Sequence, residues 1–231
     1  MDETQFRSFM QQAKKPARTI EAYINSVNFY AGFLQSRQPM NTPDQAQPPD
    51  IKEFVSWAVD KGENAYRHLW GIRTYYQFMQ SESLENTASE CMEYIQNETR
   101  KLGEFPQVDR DCVLKLSKIG IKTVNQLLRA ANSEEKLATL SNKAGVSQAA
   151  VLELFKLCNL SRLPGLKKVR CRLFYEAGLD TLASIAALQP VEVNTILYDY
   201  IERTGFEGIA PTIGEAQVTV SMARFLPEYL T

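Results

Sequence analysis

Three times the chain closes an apolar-periodic run on a glycine, adds one aliphatic residue, and within two more places a Ser or Thr that opens the next run. The segments are Gly120-Ile121-Lys122-Thr123, Gly145-Val146-Ser147 and Gly178-Leu179-Asp180-Thr181. Glycine takes the positive φ that ends a helix, the aliphatic residue plugs the corner, and the hydroxyl accepts from the orphan amides of the helix that follows. A chain punctuated this way is confined to short helices joined by tight corners. Strand signals are nearly absent, with only Gln217-Val218-Thr219-Val220 compatible with either a strand or a helix. The expected fold class is all-α.

The corners also expose an internal repeat. A shift of 58 residues carries Phe105-Pro106-Gln107-Val108 onto Leu163-Pro164-Gly165-Leu166, Gly120 onto Gly178, Ile121 onto Leu179 and Thr123 onto Thr181. The matched positions are those that set turns, which favours duplication over chance similarity of two helical pairs.

Upstream, Ile20, Tyr23, Ile24, Val27, Tyr30, Ala31 and Leu34 recur at helical spacing and define a helix over residues 18–36. The Pro-rich stretch 36–50 then reads as a long loop, after which Asp50 is placed to cap a helix carrying Ile51, Phe54, Val55 and Ala58. A fourth helix is expected near 64–80, and another over 87–102 that ends at Gly103. The domain organisation expected is a four-helix bundle over 1–85, a connecting helix over 86–104, a repeated helical domain over 105–205 and a helical extension over 206–231. Trp57 and Trp70 are expected to anchor the first core.

Composition bounds the function. Of 231 residues, 44% are hydrophobic, 23% are charged and 21 are Gly or Pro, which excludes disordered and low-complexity classes. No apolar run reaches the length of a membrane span, and residues 1–16 have acids first and no apolar core of a secretory signal, so no membrane association and a cytoplasmic location are expected. The four cysteines (Cys91, Cys112, Cys158 and Cys171) show no CxxC spacing, and His68 is the one histidine, so no metal site is expected. Neither a P-loop nor a GxGxxG is present, and no cofactor or enzymatic activity is expected.

The sharpest local feature is Leu160-Ser161-Arg162-Leu163-Pro164-Gly165-Leu166-Lys167-Lys168. It resembles the helix-hairpin-helix motif, an aliphatic-Pro-Gly-aliphatic turn between two packed helices, whose resemblance implies that turn amides and the second helix's N-terminus face a DNA phosphate. Unpaired N–H groups at the positive end of a helix attract anions whatever the kinship, and Gly permits close approach. Residues 161–175 carry five basic and no acidic side chains, whereas 176–231 carry two basic and eight acidic ones. The net charge of −1 therefore conceals a strong polarity. On a projection begun at Leu166, Val169, Leu173, Phe174 and Ala177 share the core face, Lys168, Arg172 and Tyr175 lie outward, and Arg170 falls within the apolar sector. Candidate DNA-binding residues are Arg162, Gly165, Lys167, Lys168 and Arg172. Cys171, where the motif usually has Ala, reads as a packing residue. In the first copy Gln107 replaces the turn glycine, and Asp109 and Asp111 stand where a phosphate would sit, so that copy is expected not to bind.

Residues 105 to about 205 resemble a tandem helix-hairpin-helix domain of prokaryotic proteins, a domain-of-unknown-function family. The first 85 residues are similar to the SAM-like core-binding domain of tyrosine recombinases (phage integrases), through Arg18-Thr19-Ile20-Glu21-Ala22-Tyr23 and Gly71-Ile72-Arg73-Thr74-Tyr75-Tyr76-Gln77-Phe78. That resemblance implies contact with duplex DNA, for which Lys14, Lys15, Arg18, Arg67 and Arg73 are secondary candidates. The Arg, His and Tyr set of recombinase chemistry is missing, because no His follows residue 68. Two readings of function stand: non-enzymatic, sequence-independent DNA binding through phosphates, or a protein-interaction scaffold without nucleic acid. No oligomeric state follows from either.

Overall fold

The computed structural model describes residues 2–37, 40–227 and 229. Those residues are all-helical, with thirteen α-helices and no strand beyond one isolated bridge, Lys101 to Thr123. The chain divides into two units, Met1–Met92 and Glu93–Thr231.

The first unit is built from α1 (Glu3–Gln12), α2 (Ala17–Gln35), α3 (Pro48–Asp60) and α4 (Ala65–Phe78). Helix α2 buries Ile20, Ile24, Val27, Tyr30 and Leu34, the periodic positions, and packs most extensively on α4. The two backbones approach closely because position 71 is glycine: a Cβ there would lie 2.7 Å from Ser26 Cβ and 2.8 Å from the Tyr23 carbonyl oxygen. Phe54 and Tyr30 meet edge to face at 5.1 Å, and Trp57 joins Phe29 and Phe33, each at 5.2 Å. Trp70, in contrast, is 38% exposed and does not anchor the core. Within the Pro-rich stretch a short 3-10 turn (Pro43–Gln45) buries Pro43. Helix α3 begins at Pro48, earlier than the Asp50 cap implied. Pro48 and Pro49 fill the first turn, where a missing N–H goes unneeded, and Asp50 reaches back to accept from the Gln47 amide at 2.7 Å.

Helix α5 (Glu82–Thr99) contains the boundary between the units. It stops before the expected end at Gly103, because Lys101 is extended and Leu102–Glu104 forms a 3-10 turn. There the Leu102 amide donates to the Lys122 carbonyl at 3.0 Å and the Val124 amide to that of Arg100 at 3.0 Å.

The second unit continues with α6 (Arg110–Lys118), α7 (Val124–Ala130), α8 (Glu134–Ala144), α9 (Gln148–Leu160), α10 (Lys168–Glu176), α11 (Leu182–Ala186), α12 (Pro190–Thr204) and α13 (Ile213–Phe225). The 58-residue shift maps α6 onto α10 end for end and the start of α7 onto that of α11. The packing repeats as well: α7 and α8 lie on α9, and α11 and α12 lie on α13. The glycines of the corners adopt the expected left-handed backbone, Gly120 at φ +91° and Gly178 at φ +84°. Thr181 caps α11 by accepting from the Ser184 amide at 3.0 Å. Residues 217–220 are helical, and α13 joins this core through Ala216, Val220, Met222 and Ala223.

Candidate functional site

The turn between α9 and α10 is held by three leucines. Leu160, Leu163 and Leu166 are buried, while Gly165, Lys167 and Lys168 between and after them are exposed. The Leu163 amide donates to the Leu160 carbonyl at 3.0 Å, that of Leu166 to Leu163 at 3.1 Å, and that of Lys167 to Gly165 at 3.1 Å. Gly165 sits at φ +78° with no atom within 4 Å of where a Cβ would stand. Its place is therefore set by backbone conformation and not by crowding.

Helix α10 has no side-chain cap: Lys167 occupies the N-cap in extended backbone, and the first helical bond is the Cys171 amide on the Lys167 carbonyl at 2.9 Å. The amides of Gly165, Lys168, Val169 and Arg170 meet no acceptor among the described residues. In the first copy two of the four matching amides, those of Asp111 and Cys112, are closed off. Gln107 takes the same left-handed backbone (φ +58°), and the Asp109 carboxylate accepts from Asp111 at 2.9 Å and Cys112 at 3.1 Å. Asp109 aligns with Lys167, so one substitution separates a self-capped helix start from an open one.

The five cations around the open turn do not act together. Lys167 and Lys168 form no ion pair with a described residue. Arg172 corrects the projection made from sequence: it is 4% exposed, its Nε donates to the Pro106 carbonyl at 2.9 Å and its guanidinium pairs with Glu153 at 2.7 Å. Val169, expected in the core, is instead 38% exposed. Neither reversal is a matter of which face the helix presents: Cys171, Arg172, Leu173 and Phe174 are buried in succession, so the middle of α10 is enclosed on every side, while Val169 lies in its exposed first turn. Arg162 is drawn to the chain's own carboxy-terminal segment, donating to the Pro227 carbonyl at 2.9 Å and lying 4.3 Å from the centre of the Tyr229 ring. Arg170 is held by Glu215 at 2.9 and 3.3 Å. That contact, with the Thr212 amide also donating to Glu215, lowers the Glu215 carboxyl to about 2. The Thr212-x-x-Glu215 spacing signals a capping box in sequence, but nothing local announces its partner in α10.

The structure thus brings together Gly165, Lys167 and Lys168, and sets Arg162 and Arg172 apart. Cys171 is buried and its thiol, pushed up to about 12 by burial, donates to the Leu166 carbonyl at 3.3 Å, which suits a packing role. Asp180, beside the Thr181 cap, pairs with Lys156.

In the first unit, Lys14 holds a left-handed backbone (φ +54°) that ends α1, next to Lys15. Arg73 pairs with Glu85 at 3.4 Å. Arg18 and Arg67 line one groove between α2 and α4 together with Tyr23 and Trp70. Among the described residues no group of His, Cys, Asp and Glu is arranged to hold a metal ion, and no helix is long and apolar enough to cross a membrane.

A family model described as Domain of unknown function (DUF4332) matches residues 106–226. No curated protein and no solved structure matches the chain.

Proposed function

The chain belongs to the DUF4332 family, and from that premise we propose that it is a non-enzymatic, sequence-independent DNA-binding protein whose α9–α10 turn takes a backbone phosphate. In this reading the turn is a helix-hairpin-helix, and the first unit is akin to the SAM-like domain of tyrosine recombinases. One observation carries the proposal: four amides at Gly165 and the start of α10 meet no acceptor among the described residues, beside two lysines that pair with none of them, where the first copy uses Asp109 to cap two of the matching amides. An anion there completes the helix start and meets the positive end of its dipole. The turn projects no helix or ribbon built to enter the major groove and hold its lysines against base edges, which argues for phosphate contact alone.

Fluorescence anisotropy with a labelled random duplex tests this. Contact with about two phosphates gives roughly tenfold weaker binding at 200 mM salt than at 50 mM, and Lys167→Glu/Lys168→Glu abolishes binding. A double variant that binds like the parent removes the turn from the proposal.

A second reading, a protein-interaction scaffold, is favoured by a cavity of about 540 Å³ lined by Pro106, Val169, Glu176, Tyr200 and Phe206. Gln107, Thr204 and Glu207 also line it, and walls that mix apolar, aromatic and acidic groups suit a basic side chain of a peptide. The absence of duplex binding at tens of micromolar protein would transfer the weight to it.

A further inference from the structure

The groove between α2 and α4 joins features that the α9–α10 turn lacks. Its volume is about 380 Å³, within the range of small-ligand sites. Ala22 and Ser26 form a low floor, made possible by the close backbone approach at Gly71, and Ser26 keeps its hydroxyl on the Ala22 carbonyl at 2.9 Å. Each wall carries one cation and one ring: Arg18 and Tyr23 from α2, Arg67 and Trp70 from α4.

Both arginines are exposed, and the acids nearest in sequence are engaged elsewhere. Glu21, one turn from Arg18, is held by Arg7, and Glu63, one turn from Arg67, faces His68 at 3.6 Å. Arg18 and Arg67 form no ion pair with a described residue. Trp70 stands 38% exposed on a helix that buries Leu69, Ile72, Tyr75 and Tyr76, and Tyr66 of the same helix meets its ring edge to face at 6.3 Å. Two unpaired guanidiniums call for a dianion or phosphodiester, and an indole face beside them calls for a flat ring.

We propose that this groove holds one unpaired nucleotide of a single strand, its base on Trp70 and its phosphate between Arg18 and Arg67. The inference goes beyond the DNA-binding reading above, because it concerns another unit, another strand state and stacking in place of backbone amides. It does not depend on the α9–α10 turn.

The test uses the full chain carrying Lys167→Glu/Lys168→Glu, so that the turn contributes nothing, and a fluorescein-labelled octathymidylate at 50 mM salt. Octathymidylate should bind; Arg18→Ala/Arg67→Ala should weaken it at least tenfold and Trp70→Ala about fivefold or more, with Trp70→Phe closer to the parent. An octamer duplex should bind more weakly than the single strand. Circular dichroism melts that overlay the parent separate lost contacts from lost folding, and the two exposed arginines keep the test valid if Trp70→Ala melts early. Three results overturn the proposal: variants that bind octathymidylate within twofold of the parent, a duplex that binds as well as the single strand, or a phosphotyrosyl peptide that displaces the probe at lower concentration than adenosine monophosphate. Failure of the turn appears on the duplex with the unmodified chain, and failure of the groove on octathymidylate in the substituted one.

Discussion

Arg172 shows how a single side chain changes the reading of a surface. Its guanidinium ties the first-copy turn, through Pro106, to Glu153 of α9, and Glu176 lies 3.9 Å away on its own helix. A buried charge with partners on three segments is a structural joint, and removing it leaves the Pro106 carbonyl short of a donor and Glu153 without its cation. Glu153 keeps some access to water, which limits the loss, so Arg172→Met should destabilise the second unit by about 2–3 kcal/mol. Urea unfolding followed by circular dichroism measures it. Duplex affinity below the transition should stay within twofold of the parent, whereas a loss of affinity without a loss of stability would return Arg172 to the DNA surface. The neighbouring Gly165 has the opposite character: it carries no packing, and what it contributes is a left-handed φ of +78° that exposes its own amide.

At the scale of elements, α13 is fastened by polar contacts as well as by its apolar face. Glu215 closes the helix start with Thr212 and holds Arg170 of α10, while Arg224 donates to the carbonyls of Ala186, the last residue of α11, and Leu188 just after it, at 2.9 and 3.0 Å. The Glu215 carboxyl titrates at about 2 in the folded chain, below the ordinary 4.5, so its contribution is complete above about 4.5 and fades as pH falls towards 2. Because this carboxylate is about half exposed, screening keeps the ion pair to about 1 kcal/mol or less, with the cap adding a similar amount. Thermal melts of the parent and Glu215→Gln should therefore differ most near neutral pH and converge as pH falls through that window. A difference independent of pH would mean that the cap geometry, and not the charge, fastens α13. The same elements show what is legible locally. Gly120, Gly178 and Thr181 act within a few residues, so the corners and the repeat can be read from the sequence. Arg172 with Glu153 and Arg170 with Glu215 join residues 19 and 45 apart, and a one-dimensional pattern does not carry such pairings. The burial of α10 is non-local for a related reason: residues Cys171 to Phe174 are enclosed on every side by other segments, which a helical projection of the segment alone does not show.

For the molecule as a whole, the charge polarity of the sequence is largely settled internally. Of the five cations in 161–175, Arg162, Arg170 and Arg172 are committed to a carbonyl and a ring, to Glu215, and to Glu153. On the acidic side Glu176 lies near Arg172 and accepts from the Tyr200 hydroxyl at 3.0 Å, and Asp180 answers Lys156. What remains at the turn is a local field from Lys167 and Lys168, which reaches about one Debye length, roughly 8–10 Å in physiological salt. Such a field places a phosphate without drawing DNA from a distance. Each neutralised phosphate contributes about −0.9 to the slope of log K against log salt, so five acting cations would give a slope near −4.5 and two give about −1.8. Because one lysine is one contact, Lys167→Gln should bring the duplex slope to about −0.9, and Arg162→Gln should leave it unchanged. Anisotropy titrations at four or more salt concentrations from 25 to 200 mM yield both slopes. If Arg162→Gln flattens the line as much as Lys167→Gln does, the carboxy-terminal segment releases Arg162 when DNA binds, and the interface is wider than the two lysines.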